Sequence, residues 1–285
     1  MGGVQVALLL HPVAQLSWTN FTVHWSTVAG LAALAGLYEW RARVAAQHPA
    51  AGAPPNATQR ALFMGGLVVL FLALNGPLHD LSDAFLFSAH MVQHLVLTLV
   101  VPPLLIAGTP ASLFRQALAY RTVARGARVI AKPVACYAIF NVVIALWHLP
   151  VLYNFAVAHH PVHIAQHLMF LVTATLMWWP LMSPLPELPR LPYPMQMLYC
   201  FLMTIPMSII AIFITYADEV LFPAYATAPR IWGVTPMDDQ LFGGLIMWIP
   251  GGLFFACVMA VVFFKWAARD NDTAAGAQAG WRPVA

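Results

Sequence analysis

Seven stretches of the chain are almost continuously apolar: roughly 21–43, 61–78, 85–108, 130–150, 161–182, 195–217 and 240–266, with ends fixed to about 2–4 residues. None alternates with the two-residue period of a barrel strand, and each approaches the roughly 20 residues a helix needs to cross a bilayer. Turn and charge signals punctuate them: AAGAPPN after the first, DLSD after the second, SPLPELPRLPYP between the fifth and sixth. The pattern predicts an all-α polytopic membrane helical bundle with seven transmembrane helices, a single domain over 1–266. The remainder, 267–285, reads as a disordered cytoplasmic tail. The first sixteen residues have no basic leading segment and do not read as a cleaved signal peptide. No internal repeat is long enough to suggest inverted transporter halves.

Composition agrees. Hydrophobic residues make up 61% of the 285 and charged residues only 8%, against about 25% charged in soluble domains. A single soluble core could not hide that much apolar surface, whereas a bilayer can.

The basic residues set the orientation. Arg41, Arg43, Arg60, Arg115, Arg121, Arg125, Arg128, Lys132, Arg190, Lys265, Arg269 and Arg282 fall on one side of the seven-helix layout, and only Arg230 on the other. Asp80, Asp83, Asp218, Glu219, Asp238 and Asp239 collect beside Arg230. The positive-inside rule then puts the amino terminus outside and the carboxy terminus in the cytoplasm. The basic residues are spread over four segments without a binding motif, so nucleic acid is not an expected partner. Trp18, Trp25, Trp147 and Trp232 fall at the outer interface and Trp40, Trp178, Trp179 and Trp266 at the inner one, where they read as anchors. Pro102, Pro103, Pro206 and Pro250 lie inside spans and predict kinks. Gly243, Gly244, Gly251 and Gly252 give the last span a small-residue face for close helix contact.

Histidine breaks the hydrocarbon pattern. Of eleven, only His48 falls on the cytoplasmic side; His11, His24, His79, His90, His94, His148, His159, His160, His163 and His167 fall on the outer side. His90 and His94 are four apart in HMVQHLVLTLVVPPLLI, and His163 and His167 repeat that spacing in HHPVHIAQHLMFLV. Residues four apart share a helix face, so each pair can converge on one ligand. His79 and His148 are expected to end the second and fourth helices at the same level, His160 lies beside them, and His24 is available from a fifth segment.

An imidazole in hydrocarbon must satisfy a donor and an acceptor, and each failure costs several kcal/mol. A metal satisfies the acceptor, and a neighbour takes the other N–H; Asp80, Asp83, Asn154, Gln93 and Gln166 are the candidates for that role. The bland reading suits lone interfacial histidines such as His11, His24 and His48, which need only a hydrogen bond. Two HxxxH pairs with flanking histidines need a common cause, and metal binding supplies one; a proton relay or pH sensor is the alternative. Met91, Met169, Met203, Met207 and Met247 read as apolar fillers, and Met237, beside Asp238 and Asp239, as a candidate transient ligand. Cys136, Cys200 and Cys257 form no CxxC and map toward the other half, which excludes a thiolate cage. Imidazole donors without thiolate suit copper, zinc or iron.

At these residues the sequence resembles a known family. HMVQHLVLTLVVPPLLIAGTP, ALWHLPVLYNFAV and HIAQHLMFLVTATLMWWPL are similar to signature segments of the multi-spanning CtaG-type assembly factors of caa-type cytochrome c oxidase, distinct from the single-span copper chaperone that shares the name. The resemblance runs from about the second helix to the seventh. It implies a seven-helix protein of the bacterial inner membrane, a metallochaperone or assembly factor rather than an enzyme. Its expected partners are the catalytic subunit of a haem-copper terminal oxidase and a periplasmic copper chaperone. Copper, as Cu(I), is the metal it implies. His90, His94, His148, His163 and His167 match its motifs; His79 and His160 join the candidate metal ligands by their place in the layer.

Two other classes fit parts of the pattern, beside a purely structural scaffold that only holds the oxidase subunit while its histidines are merely hydrogen-bonded. HMVQH and HHPVH resemble the histidine boxes of membrane di-iron oxidases and desaturases, although those boxes usually face the cytoplasm. A haem-binding cytochrome would take one axial histidine from the third helix and one from the fifth.

Overall fold

The computed structural model describes residues 22–47 and 52–280, with side chains as far as 270. Every regular element among them is helical: α1 (Trp25–Gln47), α2 (Ala57–Leu74), α3 (Pro77–Ala84), α4 (Phe87–Leu95), a π-helical turn (Val96–Val100), α5 (Val101–Ala107), α6 (Ala111–Leu118), α7 (Arg121–Ile130), α8 (Pro133–His148), α9 (Pro150–Ala158), α10 (His160–Met182), α11 (Tyr193–Thr215), α12 (Pro223–Ala226) and α13 (Pro236–Gly280). His11, Trp18 and His48 lie outside the described residues.

Five helices are long and apolar enough to cross a membrane: α2, the rod Phe87–Ala107 formed by α4 through α5, α10, α11, and α13 as far as Asp270. α7 and α8, bent by 78° at a short break, make a sixth if counted together. α1 has the length, at 23 residues, but not the apolarity. The chain is a multi-pass membrane protein. Helical backbone continues past 266 to Gly280, inside the stretch expected as a disordered tail.

Three departures from the expected layout position the histidines. The second span ends at Leu74 instead of running to 78. Gly76 takes φ +69°, open to glycine but costly to other residues, and Pro77 starts a new short helix. The Asn75 side chain seals the break, donating to the Phe71 carbonyl (3.0 Å) and accepting from the His24 amide (2.7 Å). His79 therefore rides on α3 rather than ending α2.

The third span is not a simple proline kink. Pro102 has no N–H to offer the Thr98 carbonyl, and the backbone widens into the π turn just after His94. The indole N–H of Trp178, from α10, donates to the Thr98 carbonyl at 2.9 Å instead. Trp178 and its neighbour Trp179 are thus buried rather than anchoring at the interface, because both indoles serve backbone carbonyls; Trp179 donates to Leu188. Trp25, Trp40 and Trp232 are exposed, as anchors should be.

The third departure is in the basic stretch after α5, which the expected layout left between two spans. It folds into α6 and α7, and α7 has no buried residue.

Glycine sets the tightest contacts. A Cβ on Gly243 would run into the Phe87 ring and one on Gly244 into the Thr215 side chain, while one on Gly251 would come within 2.8 Å of the Met207 side chain. This is the small-residue face expected for the last span, and it lets α13 approach α4 and α11 closely. Gly252 faces open space. Met91, Met203, Met207 and Met247 are buried fillers, whereas Met169 is exposed on the outside of the bundle.

Candidate metal centre

The site begins with α4. Its preceding residue, Leu86, has no side chain to cap the first amides, and Asp239, fully buried on α13, does so across the bundle. Asp239 accepts from the Phe87 N–H at 2.7 Å and the Ser88 N–H at 3.0 Å, one carboxylate oxygen each. The helix so fixed carries His90 and His94 inward, with ring centroids 4.3 Å apart.

α10 brings its own pair alongside. The His163 and His167 centroids are also 4.3 Å apart; His163 lies 5.2 Å from His90, and His167 lies 5.6 Å from His90 and 5.4 Å from His94. His148, at the end of α8, reaches the group through His94 at 5.6 Å. All five are buried. One nitrogen from each of His90, His94 and His167 falls in a set within 4.8 Å of one another, and Asp83, His90 and His163 form a second such set. An ion with bonds of about 2.0 Å holds tetrahedral donors about 3.3 Å apart, so ring movements of less than about 1 Å would close either set.

Hydrogen bonding decides which nitrogens are free. The Tyr225 hydroxyl has one proton, and the Ser82 carbonyl, 2.8 Å away, can only accept it. Its oxygen then accepts from the Nδ1–H of His90 at 3.1 Å and from the Tyr153 hydroxyl at 3.2 Å. Burial pushes the Tyr225 phenol well above its ordinary pKa, so that proton stays. His148 Nδ1 faces the Ile144 carbonyl at 2.7 Å and must likewise be the donor. His90 and His148 are therefore Nδ1–H tautomers with the Nε2 lone pair turned elsewhere.

Those lone pairs have nothing to bond. Nε2 of His90, His94, His148, His163 and His167, and also Nδ1 of His94, are buried without a hydrogen-bond partner among the described residues. Five buried imidazoles thus each keep a ring nitrogen without the hydrogen-bond partner that buried polar atoms normally have.

His79 is arranged differently. Gln93 donates its amide to the Ala73 carbonyl at 2.7 Å, which fixes its orientation, and its nitrogen also faces His79 Nδ1 at 3.1 Å. His79 is then protonated on Nε2, which points at Asp83 from 3.5 Å. His163 Nδ1 faces the same Asp83 oxygen at 3.7 Å, both distances just beyond a hydrogen bond. Asp83 sits where it can take the N–H of two imidazoles and turn His163 Nε2 inward. His160 is not in the central group; its ring lies 6.2 Å from His24, which in turn packs edge-on against His79 at 4.5 Å. These three line an apolar cleft of about 290 Å³ between α1, α2 and α10 that reaches His163 and His167.

The sequence model for the cytochrome c oxidase caa3 assembly factor family (Caa3_CtaG) matches residues 31–269, and so takes in every one of these residues but His24. The chain belongs to that family. Uncharacterized proteins of Mycobacterium bovis and Mycobacterium tuberculosis are each 25% identical to this chain over 208 residues, 66% of it and 31% of theirs. One from Mycobacterium leprae is 24% identical over 231 residues, 74% of this chain and 34% of its own. The chain thus spans about a third of the length of the curated relatives it matches. No solved structure matches it.

Of the supporting residues expected from the sequence, Asp83 and Gln93 stand beside the histidines. Asn154 instead donates to the Leu221 carbonyl at 3.3 Å, and Asp80 accepts from Thr22 at 2.9 Å. Gln166 is buried with neither amide atom partnered among the described residues. Tyr153, Tyr225, Ser82 and the capping Asp239 escaped the sequence reading. Each stands alone on a separate helix and so carries no spacing signal, and only folding brings it to the histidines.

Proposed function

We propose that this chain acts as an oxidase assembly factor that holds copper, as Cu(I), on His90, His94 and His167 with His163 and His148 at hand. From there it passes the ion to the catalytic subunit of a haem-copper oxidase. The observation that carries this reading is the set of five buried imidazoles from α4, α8 and α10 whose Nε2 atoms lack a partner among the described residues. Neutral nitrogen donors without thiolate bind a borderline or soft ion firmly, yet release it one ligand at a time. Zinc or iron would accept the same donors, so metal identity is part of the test.

The proposal includes a topology. α1 and α8, the apolar half of the bent α7–α8 pair, join the five long helices to make seven crossings of the bacterial inner membrane, with the amino terminus outside and the carboxy terminus in the cytoplasm. The arginines of α7 adjoin the start of α8 and His148 ends it, about 24 Å away at 1.5 Å per residue. That separation supports a periplasmic histidine layer. A periplasmic copper carrier is the natural donor, and the role is that of a metallochaperone rather than an enzyme.

Elemental analysis of detergent-purified protein, before and after addition of cuprous ion, tests the reading. We expect bound copper, and its loss in a His90→Ala/His94→Ala variant with unchanged helicity. Unchanged copper in that variant would refute the assignment. A Soret band would instead mark a haem protein, and two irons per chain a di-iron enzyme.

A further inference from the structure

The helix α7, RTVARGARVI, is joined to the body at both ends and only lightly covered by it: none of its residues is buried, and only Ala124 and Ala127 are partly covered. Its two faces differ sharply. At 100° per residue Arg121, Arg125 and Arg128 form one stripe, and Val123, Ala127 and Ile130 lie opposite. Val123 and Ile130 are 46% and 40% exposed, so the protein leaves much of the apolar stripe open. The arginines have no carboxylate partner among the described residues, unlike Arg60, which pairs with Glu39, and Arg115, which pairs with Glu187.

Geometry says what covers it. α7 meets α8 at 78°, and α8, the apolar half of that pair, is the part suited to cross the bilayer. A helix nearly perpendicular to a crossing segment, at its end, lies close to the membrane plane, where an apolar stripe meets acyl chains and a basic stripe meets headgroups. A soluble anion would leave the valine–isoleucine face bare, and an acidic protein surface would do the same. An anionic amphiphile matches both.

We propose that α7 is an interfacial anchor that binds anionic phospholipid, its phosphates held by Arg121, Arg125 and Arg128. A cleft of about 270 Å³ between α6, α7 and the α10–α11 connection supplies one seat. Arg128 lines it without a counter-charge, while Glu187 opposite is already neutralised by Arg115 at 2.8 Å. The remaining arginines extend the contact along the surface. This inference needs only that α8 crosses the bilayer, and is independent of the copper reading.

The test uses the full chain in mixed micelles holding equal phosphatidylglycerol and phosphatidylcholine, with retained lipids counted by native mass spectrometry. We expect a preference of roughly tenfold for phosphatidylglycerol, lost in an Arg121→Gln/Arg125→Gln/Arg128→Gln variant and undisturbed by excess inorganic phosphate. Equal retention of the two lipids by the wild type would overturn the proposal, and displacement by phosphate would reduce the site to a simple anion pocket. Nitroxide labels in lipid nanodiscs give a second readout, in a Cys257→Ser background because that thiol is exposed while Cys136 and Cys200 are buried. A label on Val123→Cys should relax with oxygen and one on Arg125→Cys with a water-soluble nickel complex. Two labels that both report water would also overturn it.

Discussion

The Tyr225 hydroxyl stands 3.1 Å from His90 Nδ1 and 2.8 Å from the Ser82 carbonyl, although 135 residues separate the tyrosine from the histidine. This one oxygen fixes a tautomer and a ring orientation together, because its proton is committed to Ser82. Tyr225→Phe keeps the ring packed and removes that function. We expect copper affinity to fall by about 10- to 100-fold, the usual effect of losing a partner behind a ligand, with stoichiometry unchanged. Competition against a cuprous chelator measures this, and an affinity equal to wild type would show that His90 needs no such support.

Asp239 serves the same helix from its end. It bonds the Phe87 and Ser88 amides and is fully buried, so Asp239→Ala leaves both without their acceptor. The expected cost is about 1–3 kcal/mol in stability, with the start of α4 loosened around His90. A lowered thermal midpoint together with weaker copper retention is the anticipated result. A lowered midpoint with full copper retention would confine Asp239 to a structural role.

The helical, membrane-spanning character was legible in the sequence because hydrocarbon length is a local property. The pairing of His90 with His94, and of His163 with His167, was equally local, resting on a four-residue spacing within one helix. What failed to show was any feature set by contact between elements. The break at Gly76 needed a positive φ that no periodicity reports, and it moved His79 onto α3. Trp178 looked like an interfacial anchor because only tertiary packing reveals the orphan carbonyl it serves. α7 fell between two expected spans, where its arginines counted only toward orientation, although their spacing of four and three residues already marked a helix face.

The glycines of α13 offer an internal contrast. Gly243→Ala would drive a methyl into Phe87, the first residue of α4, and Gly244→Ala would drive one into Thr215 and to 3.0 Å from its backbone nitrogen. Gly252→Ala meets nothing within 4 Å. We expect the first two to destabilise by about 1–3 kcal/mol, the range for forced overpacking, and the third to be neutral or slightly stabilising through helix propensity. Detergent thermal unfolding of the three single variants separates them, and equal midpoints would remove close α4–α13 and α11–α13 contact as the reason for glycine.

Trp178 and Pro102 should prove coupled. Pro102 deprives the Thr98 carbonyl of its α-helical donor, and the Trp178 indole replaces it at 2.9 Å from a side chain only 3% exposed. Trp178→Phe keeps most of the ring volume but strands the carbonyl in an apolar interior, at a cost of about 1–3 kcal/mol. Pro102→Ala restores a backbone N–H at that position. In the double variant the new amide can reach Thr98, so its loss of stability should be smaller than the sum of the two single losses, by about 1 kcal/mol. Strict additivity in unfolding measurements would show that the indole does not substitute for the missing amide, and the π turn after His94 would then need another cause.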